Sequence, residues 1–344
     1  MANLQDISNI TGVSTATISR ILNQDPSFNV LETTRTKVLT VAEEIGYTKH
    51  LKTSKKEDTP KKSIQKVVTI GIIQMHSYQK LVEDPYYYRI ECCIEMFKEK
   101  YNMKTVKIKN NHDNTFSVEG DVKVDGIFAI GIFGAKQISN MEKFSKNIVF
   151  LDSSPDEEKY YGIVPNFSSG VEQSIRYLLK RGHTDIGFIG EKYTLGDRKH
   201  RISEPRWIFF RSLMIPMGLY NEDFIIEAPT NVLEGYEATK AFLDNAKQIP
   251  SAFFIASDSI GNGIIRAIIE KGLKVPEDIS LIAFNNSALS QYAMIPLTAI
   301  DVHAEKMALT AFKHMVDLLN NDAVFVRTVI SCNIIERDSV ARLK

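Results

Sequence analysis

The residues best suited to chemistry lie close to the N-terminus. In the stretch from Leu4 to Asn23, Thr15, Ala16, Ser19 and Arg20 fall on one side of a helical spacing, while Ile18, Ile21 and Leu22 fall on the other. Short hydroxyls, a methyl group and a guanidinium are the groups that read base edges in a DNA major groove. Arginine forks onto guanine, and small apolar groups meet the thymine methyl, so Arg20 is the expected guanine reader and Thr15 and Ala16 the expected methyl contacts. Ser14, Thr15, Ala16, Thr17, Ser19, Arg20 and Asn23 form the candidate DNA face, with Lys49 and Lys52 downstream as phosphate contacts. A second group follows the first apolar run: Asp84-Pro85-Tyr86-Tyr87, whose aromatic rings suit either stacking on the apolar face of a sugar or packing the start of a helix.

Positioning the first group requires three short helices. Asn3 with Asp6 three residues on is a capping pattern, and Leu4, Ile7 and Ile10 have the spacing of one buried face. Gly12 permits a sharp turn, and Ser14 caps the next helix. A third helix is expected over 31–45, with Val38, Val41, Ala42 and Ile45 inward and Gly46 as its stop. The pattern is that of a helix-turn-helix, whose second helix enters the groove. Residues 49–66 are polar and rich in lysine, and read as a linker between a head at 1–48 and a larger unit at 67–344. The chain has no net charge, yet residues 1–66 hold ten Lys/Arg against seven Asp/Glu, which places a small positive surplus beside the reading head.

Beyond the linker the runs VVTIGII, GIFAIGI, IVFLD, IGFIG, AFFIA and ISLIAF have strand length and are apolar throughout, as in parallel strands covered on both faces. Helical segments at 168–181, 234–246, 259–271 and 304–319 alternate with them. The expected fold class is therefore α/β, two lobes of doubly wound parallel sheet preceded by an all-α helix-turn-helix domain.

Several classes of function find no support. No run of about 20 apolar residues suggests a membrane span, and no charged-then-apolar leader opens the chain, so a cytoplasmic location is expected. Three cysteines, two adjacent at Cys92 and Cys93, make neither a disulfide framework nor a metal set, and no metal or cofactor is expected. Phosphate-loop, nucleophile-elbow and zinc-protease motifs are missing, which leaves a sugar-processing α/β enzyme as the alternative to a non-enzymatic regulator.

The run GVSTATISRILN followed by ETTRTKVLTVAEEIGY resembles the signature of the lactose/galactose repressor (LacI/GalR) family of bacterial transcription factors, and the resemblance continues through nearly the whole chain. It implies a periplasmic-binding-protein-like effector domain with three chain crossings, here near 182, 301 and 326, giving one lobe of about 67–181 plus 302–325 and another of about 183–300 plus 327–344. It also implies a ligand cleft at the carboxyl ends of the strands. Arg206 matches the family arginine that forks onto ligand hydroxyls. Trp207 adjoins it, with two places open to it, against a sugar ring or behind the cleft. Ser257-Asp258 matches an Asn-Asp pair, serine replacing the ligand-contacting asparagine; Asp258 suits ligand contact and the capping of a helix from Ser259 equally. Asn285-Asn286 stands where two aspartates are usual, which favours hydroxyl recognition over binding of a cation. Thr48-Lys49-His50 departs from the usual Pro-Asn step of the hinge, leaving Leu51 as the sole stand-in for a minor-groove wedge.

The implied partners are a pseudo-palindromic double-stranded DNA operator, a second copy of the chain, and a small effector. A sugar is expected, a galactoside in particular, because the DPYY entry, the 193–200 stretch and the irregular hinge most resemble regulators of β-galactoside use. A purine is the non-sugar alternative. No leucine heptad is present in ERDSVARLK, so a dimer is the expected state.

Overall fold

The structure, a computed structural model, describes residues 3–22, 30, 32–45, 47, 64, 66–111, 113–195 and 201–343. The chain divides into two units, Met1–Lys61 and Lys62–Lys344.

The first unit contains α1 (Leu4–Thr11), α2 (Thr15–Leu22) and α3 (Glu32–Glu44). Asn3 Oδ1 accepts from the amides of Gln5 and Asp6, and the Asp6 carboxylate accepts from the Asn3 amide at 2.8 Å, a reciprocal cap that gives these three amides acceptors. Gly12 closes α1 at φ +72°, a left-handed conformation that a side chain would strain. Ser14 Oγ then accepts from Thr17 N at 3.2 Å, as its capping position predicts. Ile7, Ile18, Ile21, Leu22, Val38, Val41, Ala42 and Tyr47 make the core of this unit. Ile10, expected inside, is 54% exposed, and Thr11 is buried instead with its hydroxyl on Ile7 O. Each three-residue step lags a full turn by about 60°, so a row begun at Leu4 has rotated out of the core by Ile10.

The second unit begins with β1 (Val68–Gln74), α4 (Tyr78–Glu83), α5 (Tyr86–Phe97), β2 (Met103–Asn110), β3 (Phe116–Ser117), β4 (Gly126–Ile130), α6 (Ala135–Met141), β5 (Ile148–Leu151) and β6 (Tyr161–Pro165). Next come α7 (Phe167–Lys180), β7 (Ile186–Gly190), β8 (Tyr193–Leu195), β9 (Arg201–Ser203), α8 (Pro205–Met214), β10 (Ile225–Glu227) and α9 (Val232–Asn245). The chain continues through β11 (Ala252–Ile255), α10 (Gly261–Glu270), β12 (Ser280–Asn285), α11 (Ala288–Gln291), β13 (Thr298–Asp301), α12 (Ala304–Leu319), β14 (Arg327–Ile330) and β15 (Asn333–Ile335). One sheet has the order β14-β6-β5-β4-β1-β2-β3 and the other β10-β7-β11-β12-β13-β15; all neighbours run parallel except the edge strands β3 and β15. Strands β4, β5, β6, β7, β11 and β12 are buried along their whole length, which accounts for apolar runs without alternation. β8 and β9 form a separate antiparallel hairpin.

Three crossings join the lobes, but two lie away from their expected places. The first falls at Asn166 rather than near 182, because α7 packs against α8 and the second sheet: a Cβ on Gly170 would stand 2.6 Å from the Phe284 ring. The second, between β13 and α12, agrees with the expectation near 301. The third lies after β14 rather than near 326, since β14 pairs with β6 in the first sheet and β15 with β13 in the second. The first and third crossings are stitched together by Asn166 N donating to Ile330 O at 2.8 Å and by Gln173 Nε2 donating to Cys332 O at 3.0 Å. Among the described residues, no helix is long and apolar enough to cross a membrane, and no group of three or more His, Cys, Asp or Glu is placed to hold a metal ion.

Candidate functional site

Between the lobes lies a cleft built at the carboxyl ends of the strands. β1 leads into Met75, His76, Lys80 and Asp84; the start of α5 supplies Tyr86 and Tyr87; and the end of β5 supplies Asp152. From the other lobe come Phe167, Glu191, Glu204 and Arg206 at helix starts and loops, with Ser257 after β11 and Asn285 at the end of β12. Asp152 and Asn285 have positive φ, +69° and +92°, values that Asp and Asn tolerate better than most residues and that turn the chain sharply as each strand ends.

Arg206 is held from several sides. Its Nε donates to Glu204 Oε1 at 2.7 Å and its Nη1 to Ala256 O at 2.6 Å, and its guanidinium lies 5.7 Å and 5.4 Å from the Phe167 and Phe284 ring centres. Burial alone would lower its pKa, but the adjoining Glu204 carboxylate, with Asp152 behind it, raises it above the ordinary value. Glu204 also caps α8 by accepting from Trp207 N at 3.1 Å, so a single buried carboxylate fixes both the helix and the cation that faces the cleft.

Tyr86 and Tyr87 both donate their hydroxyls to Asp152, to Oδ1 and Oδ2 at 2.9 Å each. The rings lie at the cleft wall with centres 4.9 Å apart and planes tilted by 52°, and are held by hydrogen bonds as well as by packing. Burial pushes Asp152 up to about 6, although the two tyrosine hydroxyls and Arg206 favour its charged form. Asp84 is likewise pushed up to about 6, by burial first and then by Asp258. Burial and the neighbouring Lys80 bring His76 down to about 4, which leaves it neutral near pH 7. Ser257 and Asn285 are linked by Asn285 Nδ2 donating to Ser257 Oγ at 3.3 Å. Carboxylates that accept, amide and guanidinium groups that donate, and a hydroxyl that does both thus face one space floored by aromatic rings. That arrangement suits a compact polyhydroxyl ligand.

Five of the seven expected effector residues, Tyr86, Tyr87, Arg206, Ser257 and Asn285, line this cleft. Two do not. Trp207 lies behind it, buried against Phe188, Phe210 and Tyr220, because the residue after Arg206 on a helix is turned by about 100°. Asp258 is buried and accepts from Ser287 N at 2.5 Å and from the Ser290 hydroxyl, so it braces the start of α11, whose cap is Ser287, rather than capping the helix from Ser259, and it does not line the cleft. Asn286, next to Asn285, accepts from Arg337 at 2.6 Å away from the cleft. Sequence reading missed Asp152, Glu204, His76 and Lys80. Asp152 carried a usable signal, the acidic residue that ends IVFLD.

On the reading head, Ser14, Ala16 and Arg20 are exposed, while Thr15, Thr17 and Ser19 are half-buried along the same helix, and Ile18 and Ile21 take the buried side. One face of α2 therefore presents the expected base-reading groups. Asn23, Lys49, Lys52 and the Gly46 stop lie outside the described residues, as do Thr48, His50 and Leu51.

Residues 3–50 match the family described as bacterial regulatory proteins, lacI family, and residues 175–340 match the periplasmic binding protein-like domain. The HTH-type transcriptional regulator GalR of Streptococcus thermophilus is 34% identical over 332 residues, covering 96% of this chain and 95% of its own length. Among solved structures, the transcriptional regulator CelR in complex with cellobiose has a TM-score of 0.66 at 20% identity, covering 98% of this chain and 100% of its own. The lac repressor dimer bound to operator and the anti-inducer ONPF has a TM-score of 0.64 at 19% identity, covering 99% of each chain. These relatives are regulators, and the sugar-processing enzyme is set aside.

Proposed function

We propose, for a chain that belongs to the lacI family of bacterial regulatory proteins, that the cleft between its lobes takes a small sugar and that this ligand sets the affinity of the head for DNA. The chain is a DNA-binding transcriptional regulator with the helix-turn-helix and periplasmic-binding-protein-like domains of that family. The observation that carries the sugar reading is the pre-set Arg206, fixed by Glu204 and Ala256 O opposite the Asp84 and Asp152 carboxylates, since fixed donors facing fixed acceptors match the hydroxyl pairs of a pyranose. Tyr86, Tyr87 and Phe167 supply the apolar surface against which a sugar ring lies. A galactoside is the proposed ligand, and repression of sugar-utilisation genes the proposed role. CelR, similar in fold, is described in complex with cellobiose, which supports a sugar in such a cleft.

The acting species is a homodimer. Two copies present two α2 helices to the half-sites of a pseudo-palindromic operator, Arg20 reading guanine and Ser14, Thr15, Ala16, Thr17 and Ser19 sharing the remaining base and phosphate contacts. Ligand acts through its preference for one arrangement of the lobes, and a coupling of about 1–3 kcal/mol is typical of such a link. Thermal unfolding against a panel of monosaccharides, disaccharides, sugar phosphates and purines tests the cleft. Galactose or lactose raises the melting temperature if the reading holds, while stabilisation by a purine alone contradicts it.

A further inference from the structure

Arg89 stands on α5 one turn after the tyrosines, yet it does not line the cleft. Its guanidinium leaves its own lobe and reaches the end of β12 in the other. Nη1 donates to Asn286 O at 2.8 Å and to Asn285 O at 3.4 Å, and lies 3.7 Å from Asp301 Oδ1. Asn285 is paired in register with Asp301 across β12 and β13, and both Asn285 and Asn286 have positive φ. The two carbonyls therefore belong to the turn that presents the Asn285 amide to the ligand space, where it donates to Ser257 Oγ. One cation of the first lobe thus grips, from behind, the ligand-facing turn of the second.

We infer that Arg89 is a positioning residue that holds the lobes closed on the effector. Contacts of this kind exist only while the lobes are together. On opening, the guanidinium and both carbonyls pass to water, so Arg89 stabilises one arrangement over the other and raises the fraction of molecules competent to bind. Apparent ligand affinity scales with that fraction. Lys80 forms a second strut at the cleft mouth, donating to Thr230 O at 2.7 Å, but Lys80 itself lines the cleft and its removal would mix closure with ligand contact. Arg89 separates the two.

The affinity arm of the test rests on the sugar reading; the closure arm does not. In the full chain carrying Cys92→Ser, nitroxide labels are attached by disulfide to Lys136→Cys of α6 and Glu237→Cys of α9, both exposed positions on opposite lobes, and the distance between them is measured without ligand. Arg89→Met keeps the apolar stem and loses the charge; it shifts the distribution to longer distances, and Arg89→Lys restores part of it. Saturation with galactose brings Arg89→Met back toward the parent distance, and its Kd is weaker by roughly tenfold. An unchanged distance distribution overturns the inference, including the case in which sugar affinity falls without it. A parent protein that binds no sugar refutes the cleft reading alone, because the ligand-free distances still decide the role of Arg89. If Arg89→Met does not fold, Arg89→Lys carries the same comparison.

Discussion

Removing the Arg206 side chain has a consequence for stability that is separable from its effect on binding. Glu204 is 5% exposed, and Arg206 is its partner at 2.7 Å, so Arg206→Ala leaves a buried carboxylate with only the Trp207 amide, and leaves Ala256 O without its 2.6 Å donor. Breaking a buried pair from one side costs about 3–5 kcal/mol, chiefly because the remaining charge stays desolvated. Adding Glu204→Gln removes that charge while the amide oxygen still accepts from Trp207 N, so the double variant is expected to return to within about 1–2 kcal/mol of the parent. Urea unfolding at neutral pH measures both, with an unchanged slope as the check that the folded and unfolded states are comparable. Neither variant is expected to bind galactose. A loss under about 1 kcal/mol in the single variant, or a double variant no more stable than the single, would show that Glu204 and Arg206 are not the coupled buried pair described here.

Further outcomes follow from other residues. Arg20→Ala should cost about 1–3 kcal/mol at one base pair of each operator half-site, measured by anisotropy on point-substituted duplexes; equal weakening on random duplex contradicts the base-reading role. Asp84 and Asp152 have folded pKa values raised from 3.8 to about 6, so the stability tied to their protonated forms is complete below 3.8 and is lost as pH rises through about 6. Asp84→Asn should flatten the fall in the urea midpoint between about pH 4 and pH 6, and a slope equal to the parent's counts against the assignment. On the proposed role of the same carboxylates as acceptors for ligand hydroxyls, the Kd for galactose should tighten as pH rises through about 6, as titration calorimetry can follow. Asp258→Ala removes the acceptor for Ser287 N and the Ser290 hydroxyl and should cost about 1–3 kcal/mol of stability, while sugar affinity per folded molecule changes far less than in Arg206→Ala.

The sequence was legible where a local rule decides the outcome. Apolar runs gave the buried strands, caps at Asn3 and Ser14 gave the helix starts of the head, and strand ends pointed to Ser257 and Asn285. Asp152 obeys the same strand-end rule but reads as part of IVFLD, and only its pairing with two tyrosine hydroxyls 65 and 66 residues earlier reveals its place. Two places were open to Trp207 beside Arg206, and helical rotation decides which of two adjacent residues faces the cleft. The third crossing was misplaced for a reason of topology. β14 is a plain strand in sequence, and its partner β6 lies more than 160 residues upstream, so nothing local says which sheet it joins. Arg89 was invisible for the same reason: its acceptors are backbone carbonyls 196 and 197 residues away.

The most direct measurement is DNA binding by the full chain with and without sugar. Duplexes selected by the protein from a random pool are titrated by fluorescence anisotropy, first alone and then in saturating galactose or lactose. Enrichment of a two-fold pseudo-palindrome, with a change in its affinity of about 5- to 150-fold on adding the sugar, is the expected result. No enriched site, or an operator affinity that stays the same with every sugar that fills the cleft, would contradict a sugar-controlled regulator.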